Sequence, residues 1–372
     1  MKTLATDWKE IATGDAEIDE SKATKRQPLT IRTVAEILAM TFDDDSEMIL
    51  ANGYLTNGER TAVCGMGGVG KTRLIMQLAL CCRAGRNFLP WPTHGRESVF
   101  LFLQTENSCR RLKFDLERML TGFTAEECDR IKNGIFLHTL EQDEDGFLML
   151  DLENSERIAN AIAQTGANVV VFDPLRDFGS DDLNSDRYMS ETLREISRVT
   201  RRGNPNRALL VIHHAGTGKA GIQKTLGFDR SSFGRNSKVL FSWARAQINV
   251  APALPDDNSL IIIASGKCSN APEFEPFAAR LNPETMLYEI DEGFDMEGWR
   301  QELGSSTGKA RLKPTILRNL LHKGQEYEKK QIVALIIEDK GVSKARAYQI
   351  VDQAHARKIL RYNKTIKTYE LT

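Results

Sequence analysis

The sequence predicts an α/β fold: a mostly parallel sheet with helices on both faces, followed by a small C-terminal module of three helices and a β-hairpin. Short apolar, β-rich runs recur at 61–64, 98–103, 135–138, 169–173, 208–213, 246–250 and 260–264. Amphipathic helical stretches near 107–121, 154–165 and 186–202 separate the earlier runs. Strands alternating with helices require long crossovers, and these place parallel strands side by side beneath helices on both faces. The later runs lack such helices, so the far edge is open to antiparallel pairing. The third observation is a break at 304–308, Gly-Ser-Ser-Thr-Gly. Beyond it, 314–322, 329–340 and 343–358 read as helices, and 359–362 and 366–371 as a hairpin.

At 372 residues the chain suits two or three domains rather than one, and 41 % hydrophobic residues supply a sizeable core. We expect a disordered tail over 1–28, a main α/β domain over 29–300 opening on a helix at Thr30, a linker over 301–312, and the small module over 313–372. The formal net charge is −1, which speaks against a uniformly basic nucleic-acid coat. That total hides opposed parts. Residues 305–372 carry fifteen Lys/Arg against six Asp/Glu, a net of +9, leaving 35 basic and 45 acidic side chains elsewhere, a net of −10.

The six cysteines show neither CxxC spacing nor disulfide-rich density, so reduced thiols in a cytoplasmic protein are expected, with no zinc site. The first twenty residues are polar and acidic, unlike a signal peptide, and the apolar runs are too short to span a bilayer. No membrane association is expected.

Gly65-Met-Gly-Gly-Val-Gly70-Lys71-Thr72 fits GxxxxGK[ST], between a β-rich run and a helix with Leu74, Ile75, Leu78 and Ala79 on one stripe. Gly65, Gly67, Gly68, Val69 and Gly70 would curl backbone N–H groups around phosphate oxygens, at the positive end of the following helix. Lys71 would reach the β/γ-phosphates, the Thr72 hydroxyl would bind Mg²⁺, and Arg73 would complete the ATP contacts.

Hydrolysis also needs a carboxylate near the metal and a group to orient water. Val169-Val-Val-Phe172-Asp173 is a buried-strand pattern ending in an acid, and ligands of open α/β sheets bind at such strand ends. Asp173 is therefore the metal-side carboxylate, with a loop-capping role as the alternative. The strand over 98–103 runs into Gln104-Thr105-Glu106. If it neighbours the phosphate-loop strand, Glu106 projects toward the γ-phosphate; a helix-N-terminal acid is an equally good reading of the spacing.

These motifs, with His213-His214 in LLVIHHA, come in an order that resembles the RecA-like ATPases, and most closely the hexameric plasmid replicative helicases of the RepA family, over roughly residues 30–300. The resemblance implies a catalytic glutamate at Glu106, Mg²⁺ on Asp173, and a γ-phosphate sensor at His214. It also implies a site completed across subunits, with Arg245 as arginine finger and Lys267 as its trailing basic partner. From the residues alone, His213 and His214 could equally serve as strand-end hydrogen-bonding groups, Arg245 as an ordinary surface arginine and Lys267 as a solvated lysine. The basic segment containing Lys219, Lys224, Arg230, Arg235 and Lys238 suits a mobile loop touching the backbone of a single strand threaded through a ring, or a plain solvated loop.

Three helices and a hairpin suggest a winged helix-turn-helix, which that family's minimal members lack. Its recognition helix would start at Ser343 as N-cap, with contacts from Lys344, Arg346, Tyr348 and Gln349 and from Lys364 and Lys367 in the wing. Use for protein contacts only is the alternative. The expectation is an ATP- and Mg²⁺-dependent, DNA-binding hexameric motor, helicase-like, in the replication of a mobile element, with single-stranded DNA in the ring, duplex at the module and replication proteins as partners. The competing classes are an ATP-switched loader, recombination mediator or defence ATPase that does not unwind, and a nucleotide-dependent DNA-binding regulator.

Overall fold

The computed structural model describes residues 31–41, 47–139, 147–179, 185–216, 218–234, 237–254, 257–304, 314–340, 344–363 and 366–372. The expected tail over 1–28, the 305–312 part of the linker, Ser343, Arg235 and Lys364 lie outside them.

The first unit contributes one helical turn, α1 (Val34–Leu38). Thr33 and Glu36 form a reciprocal capping box, Thr33 Oγ1 accepting from Glu36 N at 3.2 Å and Thr33 N donating to the Glu36 carboxylate at 2.6 Å. The helix expected from Thr30 is thus only a turn, with Val34, Ile37 and Leu38 exposed.

The second unit runs β1 (Met48–Leu50), β2 (Leu55–Thr56), β3 (Arg60–Gly65), α2 (Lys71–Ala84), β4 (Phe100–Gln104), α3 (Cys109–Leu120), α4 (Ala125–Lys132), β5 (Ile135–Leu137), α5 (Leu152–Thr165), β6 (Val169–Asp173), α6 (Asp186–Arg201) and β7 (Ala208–His214). There follow α7 (Lys219–Gln223), α8 (Ser237–Trp243), β8 (Ala246–Leu254), β9 (Asp257–Cys268), β10 (Phe277–Leu281), β11 (Tyr288–Ile290) and α9 (Met296–Gly304). The C-terminal module comprises α10 (Leu317–Leu320), β12 (Glu326–Tyr327), α11 (Lys329–Lys340), α12 (Lys344–Ala356), β13 (Leu360–Asn363) and β14 (Thr368–Leu371).

Nine strands form the main sheet in the order β11-β10-β9-β8-β3-β7-β6-β4-β5. All pairings from β8 to β5 are parallel, while β8 to β11 pair antiparallel, as the missing helices foretold. Side chains alternate across the pleat into two cores. Phe100, Phe102, Val169, Val171, Leu210 and Ile212 pack with Leu74, Ile75 and Leu78 of α2 on one face. Leu101, Leu103, Val170, Phe172, Leu209 and Val211 pack with α5, α6 and Trp299 of α9 on the other. The architecture is a mostly parallel sheet with helices on both faces.

Several boundaries differ from the sequence reading. Helix α9 continues to Gly304, so the linker starts later than 301. The short strands β10 and β11, the helix α4 and the strand β12 add to the expected set. β12 pairs antiparallel with β14, which pairs antiparallel with β13, so the expected hairpin is part of a three-stranded sheet. The first helix of the module shrinks to a 3-10 turn at Pro314–Ile316 and α10. Its own core of Leu317, Ile332, Val333, Ile336, Ile350, Val351 and Leu360 holds helices and strands together.

All six cysteines are free, and burial pushes the Cys64 thiol up to about 12. Among the described residues there is no His/Cys/Asp/Glu group able to hold a metal of zinc type, and no helix is long and apolar enough to cross a membrane.

Candidate nucleotide site

Parallel strands end together, so β3, β4, β6 and β7 deliver their C-terminal residues to one edge. Gly65 pairs with His214 and Gln104 with Asp173 across the sheet. The phosphate loop leaves β3 at Gly65, where an added Cβ would lie 2.5 Å from the Val250 carbonyl oxygen, so no larger residue fits. Gly70 caps α2 in the left-handed conformation at φ 86°, a region costly for side chains. A Cβ there would also meet the Tyr288 hydroxyl. Two hydrogen bonds fix that tyrosine's strand to α2: Gln77 Nε2 donates to Tyr288 O at 2.8 Å, and Tyr288 N donates to Gln77 Oε1 at 2.7 Å.

Lys71 is buried, and its Nζ donates to the carbonyls of Gly65 (3.0 Å) and Met66 (2.8 Å). Burial lowers its pKa, opposed by Asp173. Thr72 Oγ1 donates to Asp173 Oδ2 at 2.5 Å. Asp173 is only 3 % exposed, and burial raises its pKa to about 6, against the Thr72 hydrogen bond and Lys71. A buried carboxylate held on the phosphate-loop hydroxyl is an incomplete electrostatic pair, and a divalent cation would complete it. The glycine cradle and this pair fit a nucleoside triphosphate with Mg²⁺. Thr72 and Asp173 would hold the cation, which would neutralise charge on the β/γ-oxygens.

Glu106 reaches this site by another route than expected. β4 is not beside β3, because β7 and β6 intervene. A turn beyond the strand carries the carboxylate across instead. Buried Gln104 donates Nε2 to Asn107 O (2.9 Å) and His138 O (2.8 Å), and its Oε1 accepts from Asn107 N at 2.7 Å. Thr105 N donates to Asp173 O at 3.1 Å, and Thr105 Oγ1 to Asp177 Oδ2 at 2.5 Å. So folded, Glu106 lies 3.6 Å from Nε2 of His214. The neighbouring His214 lowers the Glu106 pKa, burial opposes it, and Lys71 and Arg176 lower it further. Gly68, Gly70, Lys71, Thr72, Glu106, Asp173 and His214 line one cleft.

Arg245 and Lys267 stand elsewhere. Arg245 precedes β8, whose first residue, Ala246, pairs with Thr61, while Val250 is level with Gly65. The arginine is therefore at the end of the sheet opposite its own phosphate loop, with Nε 3.8 Å from Glu59 Oε2. Lys267 Nζ donates to Phe241 O (2.9 Å) and Ala244 O (2.8 Å), tying down the end of α8, and burial lowers its pKa. Neither serves the nucleotide of its own chain.

The basic segment is more ordered than a plain loop. An Ala215–Gly234 bridge closes its base, and α7 and a 3-10 turn at Phe228–Ser232 lie between. Two buried amides of β8 hold it: Asn249 Nδ2 donates to Thr225 O and Arg230 O, each at 3.2 Å, and Gln247 Nε2 donates to Asn249 Oδ1 at 2.8 Å. Arg230 pairs with Glu273 at 2.9 Å, so it is engaged within the chain rather than offered to a strand. Lys238 is exposed beside Arg60 and Trp243, Lys224 is half-buried, and Lys219 begins α7. In the module, Lys344, Arg346 and Gln349 lie on α12, Tyr348 is half-buried with Lys329 over its ring, and exposed Lys367 precedes β14.

Gln77, Tyr288 and Asp177 were missed by the sequence reading, and Gln104 was named only as part of the run into Glu106. Gln77 left a trace, as a polar residue within the apolar run of α2; the others gave no periodic signal.

An AAA-domain family model matches residues 26–220, a span that includes the phosphate loop and His214. The chain belongs to this family. Its main domain is thus a RecA-like P-loop ATPase domain, built for nucleotide hydrolysis. Among solved structures, the chain is similar to a KaiC-like protein from the hyperthermophilic archaeon Pyrococcus horikoshii OT3, at 13 % identity and a TM-score of 0.45, over 66 % of this chain and 97 % of that one. No curated protein matches the chain in sequence.

Proposed function

We propose that this AAA-family ATPase is a DNA-binding ring motor of helicase type that works in the replication of a mobile element. The observation that carries the reading is the Glu106–His214 contact. His214 ends β7, and the chain passes at once through Ala215 into the basic segment. A group that meets the catalytic carboxylate is thereby joined to the segment proposed to touch single-stranded DNA. Glu106 orients the attacking water, Lys71 and Thr72 hold the phosphates and Mg²⁺ with Asp173, and His214 reports the γ-phosphate. Arg245, far from its own phosphate loop, acts on the nucleotide of the next copy in a hexamer, with Lys267 holding its backing helix. The C-terminal module, net basic and read as a winged helix, binds duplex DNA through Lys344, Arg346 and Gln349 on α12 and through the hairpin.

The test is ATPase and strand-displacement measurement with and without single-stranded DNA, on wild type and Lys71→Ala. DNA-stimulated hydrolysis with displacement, lost in the variant, is the expected result. ATP-dependent assembly on DNA without displacement would replace the motor by a loader, mediator or defence ATPase. Nucleotide-dependent oligomerisation with no DNA-stimulated turnover would make the protein a regulator.

A further inference from the structure

A charged contact joins the C-terminal module to the main domain: Arg357 Nη2 donates to Asp295 Oδ2 at 2.6 Å. Arg357 directly follows α12, and its N–H still donates to Gln353 O at 2.9 Å, so helical spacing carries through to it. At that spacing positions 346, 349, 353 and 357 form one row along the helix. The row lies outside the buried stripe of Ala347, Ile350, Val351 and Ala354. Positions 346 and 349 are the ones assigned above to duplex DNA, and Arg357 extends their row by about two turns.

Asp295 belongs to a surface of the opposite kind. Residues 291–297 hold Asp291, Glu292, Asp295 and Glu297 with no lysine or arginine, whereas 305–372 carry the net +9. Asp291 is engaged within its own sheet, accepting from Arg280 at 3.0 Å. The two oxygens of Asp295 have different partners. Oδ1 caps α9 by accepting from Gly298 N at 2.9 Å, and Oδ2 meets the guanidinium of the module. A carboxylate oxygen makes the same charge-assisted hydrogen bond to arginine as a phosphodiester oxygen does. The side chains of Arg357 and Asp295 are 49 % and 38 % exposed, and an ion pair so exposed is weak and readily exchanged. A DNA phosphate cannot take the same N–H while Asp295 holds it.

We propose that Arg357 is a phosphate contact of the module's duplex-binding face, and that Asp295 occupies it in place of DNA. Duplex and the main domain then compete for one guanidinium, so the module binds DNA fully only when it leaves the start of α9. The proposal rests on the assignment of the module to duplex DNA, and it adds a further contact and the group that masks it.

The experiment is anisotropy titration of a short fluorescein-labelled duplex of mixed sequence with the full-length protein, over a salt series. Asn caps a helix as well as Asp does, so Asp295→Asn keeps α9 while removing the competing charge. It should tighten duplex binding by about two- to fivefold. Glu292→Gln removes an equal charge from the same exposed segment and should change the affinity by less. Arg357→Gln should weaken binding and reduce the salt slope by about one, and in that background Asp295→Asn should no longer tighten it. If melting reveals a fold defect in Asp295→Asn, the salt slope of Arg357→Gln decides the matter, and an unchanged slope overturns the proposal. It is also overturned if Asp295→Asn binds duplex no tighter than Glu292→Gln does, or if its gain persists in the Arg357→Gln background; in both cases the module keeps its assignment to duplex. Absence of duplex binding by wild type and Asp295→Asn alike removes that assignment, and the competition with it.

Discussion

The Glu106 carboxylate and Nε2 of His214 are 3.6 Å apart although β6 separates their strands. The contact exists because a pinned turn carries Glu106 over the end of β6 to the end of β7. It joins the carboxylate proposed to orient water to the strand that leads into the basic segment, and it favours the ionised form of that carboxylate.

Removing either partner should separate chemistry from binding. Glu106→Gln should retain nucleotide binding and lose turnover by about 10²–10⁴-fold, as loss of a positioned base does. The His214 contact lowers the Glu106 pKa. Activity that needs the carboxylate is present above that pKa and falls as pH drops through it. His214→Asn removes the largest lowering influence, so the acid limb of kcat should move to higher pH. A pH–rate profile superimposable on wild type would dissociate the pair.

Buried Gln104 shapes the same turn through its three hydrogen bonds. Gln104→Leu leaves Asn107 and His138 without those partners and lets Glu106 drift. Misplacement by about 1 Å costs on the order of 100-fold in turnover. Nucleotide affinity, set by the phosphate loop, should change little. Single-turnover hydrolysis and equilibrium binding, measured on the same variant, separate the two. An unaltered single-turnover rate would leave Gln104 with no part in placing Glu106.

Much of this site was legible because its chemistry is local. Gly65 to Thr72 is contiguous, and Asp173 ends an unbroken apolar strand. Strand order is not local: β3 and β4 look like neighbours along the chain, yet β7 and β6 separate them. The premise that β4 neighbours β3 fails on that point, although Glu106 still lines the phosphate-loop cleft. The edge strands β10 and β11 are only five and three residues long and too short for a clear period. Tyr288 matters through where it packs, against Gly70 some two hundred residues earlier, and only the folded sheet brings them together.

That packing adds a second penalty to any replacement of Gly70. Gly70→Ala combines left-handed strain, about 1–2 kcal/mol, with a clash against the Tyr288 hydroxyl. Nucleotide binding and melting temperature should both fall. Tyr288→Phe removes the clashing oxygen, so the double variant should be more stable than the sum of the single changes predicts. Strict additivity in urea unfolding would place the Tyr288 hydroxyl outside the strain at Gly70.

Arg245 provides the sharpest test of assembly-dependent chemistry. It sits at the end of the sheet opposite its own phosphate loop, so a role in hydrolysis must be played on another copy. Arg245→Ala should keep nucleotide binding and lose hydrolysis by about 10³-fold or more, the scale on which a trans-acting guanidinium works. Lys71→Ala, in contrast, should lose its own nucleotide while still presenting Arg245 to a neighbour. Mixed in equal amounts, the two inactive variants should recover a measurable fraction of wild-type turnover, because some interfaces then pair an intact phosphate loop with an intact arginine. Recovery should vanish when both substitutions are placed in the same chain and that chain is mixed with Arg245→Ala. Hydrolysis that survives in Arg245→Ala alone, or a mixture that stays inactive although it co-assembles, would remove Arg245 from the reaction.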